Sequence, residues 1–277
     1  MIDQNSRVSV GTYNLHGLAD PAGLTRTLKK LEFVDIWAFQ EINEVTTVST
    51  NRITLQESPP PVQLRRILPA GDWNIYYVPM NRSDDSGQRV WEGQAIASRY
   101  PLTRQEVWPL RATGTKKRAA LACDVAVADT KLFVVNTDHE IGLMTIGPTD
   151  RGQQVEDLLG NLSQCSPTGK HPTVILGDFN TVGYPLQPWR MNSTEEIRSL
   201  QRSFRRIGIQ SLPGLKAPCP TFKCLGISRA LDHILLGNAT CCQWGTTENY
   251  VGSDHRPLWV TVDMKRRTEA SDTNKIE

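Results

Sequence analysis

Val174-Ile175-Leu176-Gly177-Asp178-Phe179-Asn180 sets an apolar run directly against two polar residues, with a glycine at the joint. Residues 174–176 read as a short strand and Gly177 as its stop. Asp178 and Asn180 then stand at the strand's exit. The arrangement recurs along the chain. Asn14 closes a strand over residues 7–14, in which Val8 and Val10 alternate with polar neighbours. Glu41 follows the apolar run 35–40, Asp232 stands at the head of 231–236, and Asp254 and His255 stand just ahead of 258–262. Strand ends on a rigid sheet hold side chains at a common rim, where binding and catalytic groups gather.

Working outward, further strands are expected at 73–78, 94–98, 119–127 and 132–136. A helix is expected at 23–31. Thr149 is expected to cap a second helix running to Leu162, with Asp150 in its first turn. Thr194 is expected to cap a third through Arg206, with Glu195 and Glu196 favourably placed near its N-terminus. Residues 45–62, with Pro59-Pro60-Pro61, and 81–90, rich in Ser, Asp and Gly, read as surface loops rather than linkers, because strands resume after each. The charged stretch 265–277 reads as a frayed tail, leaving one catalytic domain over 1–264. Many strands and few helices suit two sheets packed face to face with helices outside them.

Composition agrees with an ordinary globular protein. The chain has 277 residues, 39% hydrophobic and 22% charged, which excludes a disordered or collagen-like chain. The net charge of +2 neither requires nor excludes a polyanionic partner, so the placement of charge decides. No apolar run approaches the ~20 residues of a membrane span. No secretory signal is visible, which favours a cytoplasmic protein, although a removed leader would leave the same picture and keep a secreted or periplasmic location open. Six cysteines do not make a disulfide scaffold. Cys219 and Cys224 have a spacing that can seat zinc, but Cys241 and Cys242 are adjacent and diverge, so buried thiols or one local disulfide is the simpler reading.

The rim residues are three carboxylates in Glu41, Asp178 and Asp254, the amides Asn14 and Asn180, and His255, with Asp232 nearby. Carboxylate and amide oxygens suit a hard cation such as Mg²⁺ together with a phosphate. Each residue also has a plainer reading. Asn14 can form a turn, Glu41 can be a solvated strand end, Gly177–Asn180 can be a turn, and Ser253-Asp254-His255 can be a cap. Their joint occurrence in this order carries the information.

These residues give the chain its resemblance to the endonuclease/exonuclease/phosphatase, or deoxyribonuclease I-like, superfamily. The matching segments are Thr12-Tyr13-Asn14-Leu15-His16-Gly17, Phe39-Gln40-Glu41-Ile42, Ala95-Ile96-Ala97-Ser98-Arg99-Tyr100-Pro101-Leu102, Gly177-Asp178-Phe179-Asn180-Thr181, Leu231-Asp232-His233-Ile234 and Ser253-Asp254-His255-Arg256-Pro257-Leu258. The resemblance implies an α/β fold, a four-layer α/β/β/α sandwich of two packed mixed sheets flanked by helices. It implies a metal-dependent attack of water on a phosphoester. Glu41 would be the main ligand of Mg²⁺ or Mn²⁺, with Asn14 and Asp254 beside the metal. Asp178 would orient or deprotonate the water, Asn180 would position the phosphate or the nucleophile, and His255 would contact the scissile phosphate with Asp232 holding its imidazole. Arg118, opening the strand at 119–127, would contact a phosphate, its guanidinium fork suiting that group; the plainer reading is a solvated basic turn.

One segment departs from the pattern. Many relatives have Asn-Thr-His where this chain has Asn136-Thr137-Asp138-His139-Glu140. A one-residue shift moves a side chain to the opposite face, and a bulge could restore it. His139 is slightly favoured as the substrate-binding residue, with Asp138 facing the substrate otherwise. His16, His171 and His233 read as loop or outward-facing residues.

Substrate is the thinnest part of the reading. Arg65-Arg66, Lys116-Lys117-Arg118 and the row Arg198, Arg202, Arg205 and Arg206 are basic patches. The last falls on one helix face, either a solvated surface or a track for a nucleic-acid backbone. Trp91, Trp108, Trp189 and Trp244 are either structural or base-stacking. The favoured reading is a nuclease acting on DNA or RNA as a monomer. The alternatives are a phosphatase or phosphodiesterase acting on a phosphoinositide, a phospholipid head group or a nucleotide, and a non-catalytic binding module on the same fold.

Overall fold

Two six-stranded mixed sheets pack face to face, and each carries helices on its outer surface. The computed structural model describes residues 7–47, 61–85, 88–112, 115–141, 148–165, 171–182, 193–212, 219–224 and 227–264. The first sheet contains β1 (Arg7–Asn14), β2 (Ile36–Thr47), β3 (Asn74–Asp85), β4 (Gln88–Ser98), β13 (Thr240–Thr246) and β14 (Leu258–Asp263), in the order β13-β14-β1-β2-β4-β3. The second contains β5 (Leu102–Leu110), β6 (Arg118–Val127), β7 (Thr130–Asp138), β8 (Thr173–Asp178), β9 (Gln210–Ser211) and β12 (Asp232–Gly237), in the order β5-β6-β7-β8-β12-β9. A separate hairpin pairs β10 (Phe222–Cys224) with β11 (Ile227–Arg229). The helices are α1 (Pro21–Lys30), α2 (Val62–Ile67), α3 (Pro148–Cys165) and α4 (Ser193–Arg205).

The core divides into the three interfaces that four layers require. Between the sheets, Val8, Val10, Ile36, Ile96, Leu121, Val134, Leu176, Ile234 and Val260 form one buried cluster. Leu24 and Leu28 of α1 and Leu64 and Ile67 of α2 pack on Trp37, Phe39 and Ala95 of the first sheet. Leu158 and Leu162 of α3 and Leu200 and Phe204 of α4 pack on Phe133, Val135 and Ile175 of the second. β1 and β2 run parallel, as do β7 and β8, and α1 and α3 are the crossovers between them. This is the sandwich the sequence implied.

Several local expectations are corrected. Pro148 takes the first helical position of α3, so Thr149 lies inside the helix rather than capping it; Ser193 likewise starts α4 ahead of Thr194. Proline is favoured at that first position because its missing N–H has no helical partner to lose. Residues 81–90 are largely strand: Arg82 pairs with Trp91, Ser83 with Val90 and Asp84 with Arg89. Backbone ladders do not need apolar side chains, and this ribbon extends beyond the layer that would demand them. Residues 45–47 continue β2, pairing with β4, and residues 48–60 lie outside the described residues, as does the expected tail 265–277. Trp108 is buried against Phe133 and cannot meet a base, and Trp189 lies outside the described residues. Cys123, Cys165, Cys219, Cys241 and Cys242 are free thiols.

Candidate active site

Strand pairing alone collects the rim. β8 and β12 are antiparallel with Asp178 opposite Asp232, and β7 and β8 are parallel with Asp138 beside Asp178. β14 is antiparallel to β1, with Leu258 opposite Thr12, so the residues leading into β14 lie beside Asn14. Glu41 arrives by another route. Between the pairs Phe39–Ala95 and Ile42–Gly93, Gln40 and Glu41 together face Gln94. This β-bulge puts Glu41 at φ 50 and re-aims its carboxylate. Gln40 turns inward instead, donating to Asn136 Oδ1 at 2.6 Å, while Asn136 Nδ2 donates to the carbonyls of Phe39 and Ala95. This buried amide bridge ties the two sheets together beneath the rim.

The hydrogen bonds join both halves of the molecule. Asn14 Nδ2 donates to Glu41 Oε1 at 3.0 Å and to Asp178 Oδ2 at 3.1 Å. The backbone N–H of Asn180 donates to Asp178 Oδ1 at 2.9 Å, with Asn180 at φ 48. The Asn180 amide donates to the His139 carbonyl at 2.8 Å. His255 Nδ1 donates to Asp232 Oδ2 at 2.8 Å, and its Nε2 stands 3.8 Å from Asp178 Oδ2. Ser253 Oγ donates to the Asn14 carbonyl and accepts from the His255 N–H, clamping the His255 loop to β1. Asp254 lies at the open edge, its Oδ1 3.2 Å from His16 Nδ1, which brings an exposed loop histidine to the site's margin.

The surroundings raise the pKa of both His255 and Asp178. Burial pushes the His255 imidazole down, but the charge and hydrogen bond of Asp232, with Asp178 and Asp254 nearby, outweigh it and carry its pKa up to about 10. At neutral pH His255 is therefore an imidazolium. Burial, reinforced by the negative charge of Asp232 and opposed by His255, pushes Asp178 up to about 7. The result is a protonated imidazole and a carboxyl that titrates at about 7, less than 4 Å apart.

Sequence reading missed the groups that hold His255 from behind. Thr221 Oγ1 accepts from the backbone N–H of Leu231 and of Asp232, and the Phe222 ring lies 5.0 Å from the His255 ring. These contacts span residues remote in the chain, and no local pattern announces them.

The structure brings Asn14, Glu41, Asp178, Asn180, Asp232, Asp254 and His255 together. It does not bring the His139 ring to them. His139 is 1% exposed, its ring packs 4.8 Å from Phe179 on the helix side of the second sheet, and its Nε2 has no partner among the described residues. β7 keeps strict alternation, so Asn136 and Asp138 face inward and His139 faces out toward α3 and α4. No bulge restores it. Burial first, then the charges of Arg118 and Arg151, push its pKa down to about 3. Asp138 takes the inward position, with burial raising its carboxyl well above the usual range against the pull of Arg118. Arg118 is buried and hydrogen-bonds Asp138 Oδ2 at 2.7 Å and Glu140 Oε2 at 3.3 Å, so its guanidinium is enclosed by carboxylates rather than open to a phosphate.

Two sets of donors could meet a cation. Asp178, Asp232 and His255 bring ligand atoms within 4.8 Å of one another. Yet His255 is protonated at neutral pH and Asp232 is bonded to it, so the imidazole has no nitrogen lone pair to give a cation. Glu41 is half-buried, and only its Oε1 is bonded among the described residues. With Asp254 and the remaining lone pair of Asn14 Oδ1 it offers hard oxygen donors, which fit Mg²⁺ or Mn²⁺.

A paired-sheet α/β sandwich with this rim defines a class, the deoxyribonuclease I-like fold with its acidic and amide site at one end. The sequence matches the Endonuclease/Exonuclease/phosphatase family over residues 11–255, and the chain belongs to that family. Among solved structures it resembles an endonuclease/exonuclease/phosphatase family protein from Leptotrichia buccalis, at 15% identity and TM-score 0.66, covering 93% of this chain and 100% of that one. It also resembles the human Nocturnin catalytic domain with bound sulfate, at 20% identity and TM-score 0.61, covering 95% and 97%. TDP2 of D. rerio complexed with a single strand DNA product aligns at 16% identity and TM-score 0.61, covering 94% and 100%. No curated protein matches the sequence.

Proposed function

We propose that this chain is a metal-dependent phosphoester hydrolase that cuts nucleic-acid phosphodiester bonds by in-line attack of water. The observation that carries the reading is His255, hydrogen-bonded through Nδ1 to Asp232 while its Nε2 faces Asp178. An imidazolium fixed in this way stabilises charge that develops on phosphoryl oxygens. Asp178, poised near neutral pH, accepts the proton of the attacking water. Asn14 holds Asp178 and Glu41 in one arrangement, and Asn180 fixes the loop beside them. Phosphoryl transfer asks mainly for positioning and charge stabilisation, and these residues supply both. The family generally uses a divalent cation, and Glu41, Asn14 and Asp254 would hold Mg²⁺ or Mn²⁺, which polarises the phosphoryl group and makes bound water more acidic. Likeness to TDP2 with its single strand DNA product supports the nucleic-acid substrate over a small phosphoester.

Nicking of supercoiled plasmid in Mg²⁺ tests the reading. Nicking is expected to stop in EDTA. It is expected to fall by about 10²-fold or more in His255→Ala with the fold intact. Glu41→Ala is expected to lose activity and to need more metal for what remains. Wild-type turnover from His255→Ala would overturn the site. Hydrolysis of bis-p-nitrophenyl phosphate without nicking would move the substrate to a lipid head group or another small phosphoester.

A further inference from the structure

Helix α4 presents a row of arginines that the site chemistry does not use. Its inner face buries Glu196, Ile197, Leu200 and Phe204 against the second sheet. Arg198, Arg202 and Arg205 lie opposite, spaced by four and three residues, and all are exposed, as is Arg206 just past the helix end. None of these guanidinium groups pairs with a carboxylate among the described residues. Elsewhere Lys116 is paired with Glu92, Arg104 with Glu106 and Arg111 with Asp157, while exposed Arg26, Lys29 and Lys30 on α1 pair with no carboxylate among the described residues; the α4 row stands apart by its concentration. In a chain of net charge +2, four unpaired arginines within nine residues are a concentration of charge.

The row begins beside the catalytic dyad. Arg198 and Asp232 line the same cavity of about 110 Å³. The β10–β11 hairpin, bridged to His255 through Phe222, carries exposed Lys223 and Arg229, and the Lys223 N–H donates to the Asp254 carbonyl at 3.0 Å. Arg198 to Arg205 spans about 10 Å of helix axis. At the duplex rise of about 3.4 Å of axis per phosphate in each strand, that length covers roughly three phosphates, and fewer on an extended single strand. Among the described residues the large exposed apolar side chains are Phe33, Val45, Val62, Val107 and Ile141, none of them on α4.

We infer that the outer face of α4 is a binding track for the backbone of a nucleic-acid strand whose scissile phosphate lies at His255. The inference rests on the nucleic-acid reading of the site, and it assigns the affinity for substrate to a surface outside the catalytic rim.

Fluorescence anisotropy of a labelled single-stranded oligonucleotide, measured in EDTA so that turnover cannot deplete the probe, tests it. The variant Arg198→Gln/Arg202→Gln/Arg205→Gln is expected to bind about tenfold more weakly, with the slope of log affinity against log salt reduced by about 2. The corresponding triple lysine variant is expected to keep most of the affinity and slope. Both variants are expected to turn over bis-p-nitrophenyl phosphate at the wild-type rate, which shows that they are folded. Unchanged affinity and slope in the glutamine variant overturn the inference, as does a wild-type protein that fails to bind the strand. Loss of binding to phosphatidylserine vesicles with strand binding intact also overturns it, by assigning the face to a membrane. A strand bound through the arginines but left uncut keeps the track and removes the nuclease reading instead.

Discussion

Arg118 carries its charge inside the protein. Its side chain and that of Asp138 are each 6% exposed, and Glu140 completes the enclosure. Burial and the two carboxylates act on the guanidinium in opposite directions, and the carboxylates prevail, raising its pKa further. A cation in such a cage acts first on stability. Truncation to Arg118→Ala removes the partner of a carboxylate that has little access to water, which costs about 3–5 kcal/mol in comparable buried pairs. Urea unfolding is expected to register that loss, and the double variant Arg118→Ala/Asp138→Ala is expected to lose much less than the sum of the two single changes. A phosphate-contacting role predicts the reverse: a raised KM for substrate with stability almost untouched. At this scale the sequence identified Arg118 and Asp138 as notable but could not pair them. They lie on neighbouring strands, and only the register of β6 against β7, with Ala120 opposite Thr137, brings their side chains into contact.

Two backbone irregularities place the acidic groups on their strands. Glu41 reaches the rim because β2 has an extra residue against β4, and Asp178 reaches it because β8 passes Gly177 in a conformation that few other residues adopt. Gly177 has φ 145, and a Cβ there would collide with the Thr137 carbonyl oxygen of the parallel strand β7. Gly177→Ala must therefore push β7 and β8 apart at the point where Asp138 and Asp178 sit side by side. It is expected to destabilise the protein by about 3 kcal/mol, at the upper end of strained backbone positions, and to reduce turnover more than binding because Asp178 moves relative to His255. Thermal unfolding with steady-state kinetics checks both effects; a stable, fully active Gly177→Ala would refute the close approach. The polar residues at strand ends were legible because apolar runs stop abruptly at each of them. The bulge at Gln40 and Glu41 was not, since nothing local distinguishes a bulge from a strand that simply ends. Edge strands were also missed. β13 has no buried residue and the first half of β5 has none, so alternation is missing from β13 and confined to the end of β5, which also contains Pro109, tolerated at an edge.

At the scale of the whole molecule, the sandwich sets three of its histidines in two electrostatic classes. His255, at the open end among carboxylates, is held protonated. His139, buried, and His233, partly buried, lie on the outer face of the second sheet and are neutral, with loss of water around each ring the main cause; their pKa values fall to about 3 and about 4. His139 packs on Phe179, and His233 bonds Thr181 Oγ1 at 2.9 Å and meets the same phenylalanine ring edge-on. The sequence placed His233 away from the site by strand alternation, and the same rule applied without a bulge places His139 there too. This burial has a consequence for acid stability. An unfolded chain takes up protons on these rings as pH falls through about 6.5, whereas the folded chain does not until pH approaches their depressed values. Their contribution to stability is therefore complete above about pH 6.5 and is lost progressively toward pH 4. His255 has the opposite sign. Its raised pKa stabilises the fold below about 6.5 and loses that contribution as pH rises through about 10, so it does not add to acid lability. Asp138 and Asp178, whose carboxyl pKa values are raised, also favour the fold on acidification. A difference between variants isolates the two neutral rings from these opposing groups. The urea midpoint of the wild type is expected to fall more steeply between about pH 6.5 and 4.5 than that of His139→Leu/His233→Gln, which has no imidazole at either position to protonate. Parallel pH profiles for the two proteins would mean that these rings take up protons in the folded state and face water rather than the helices.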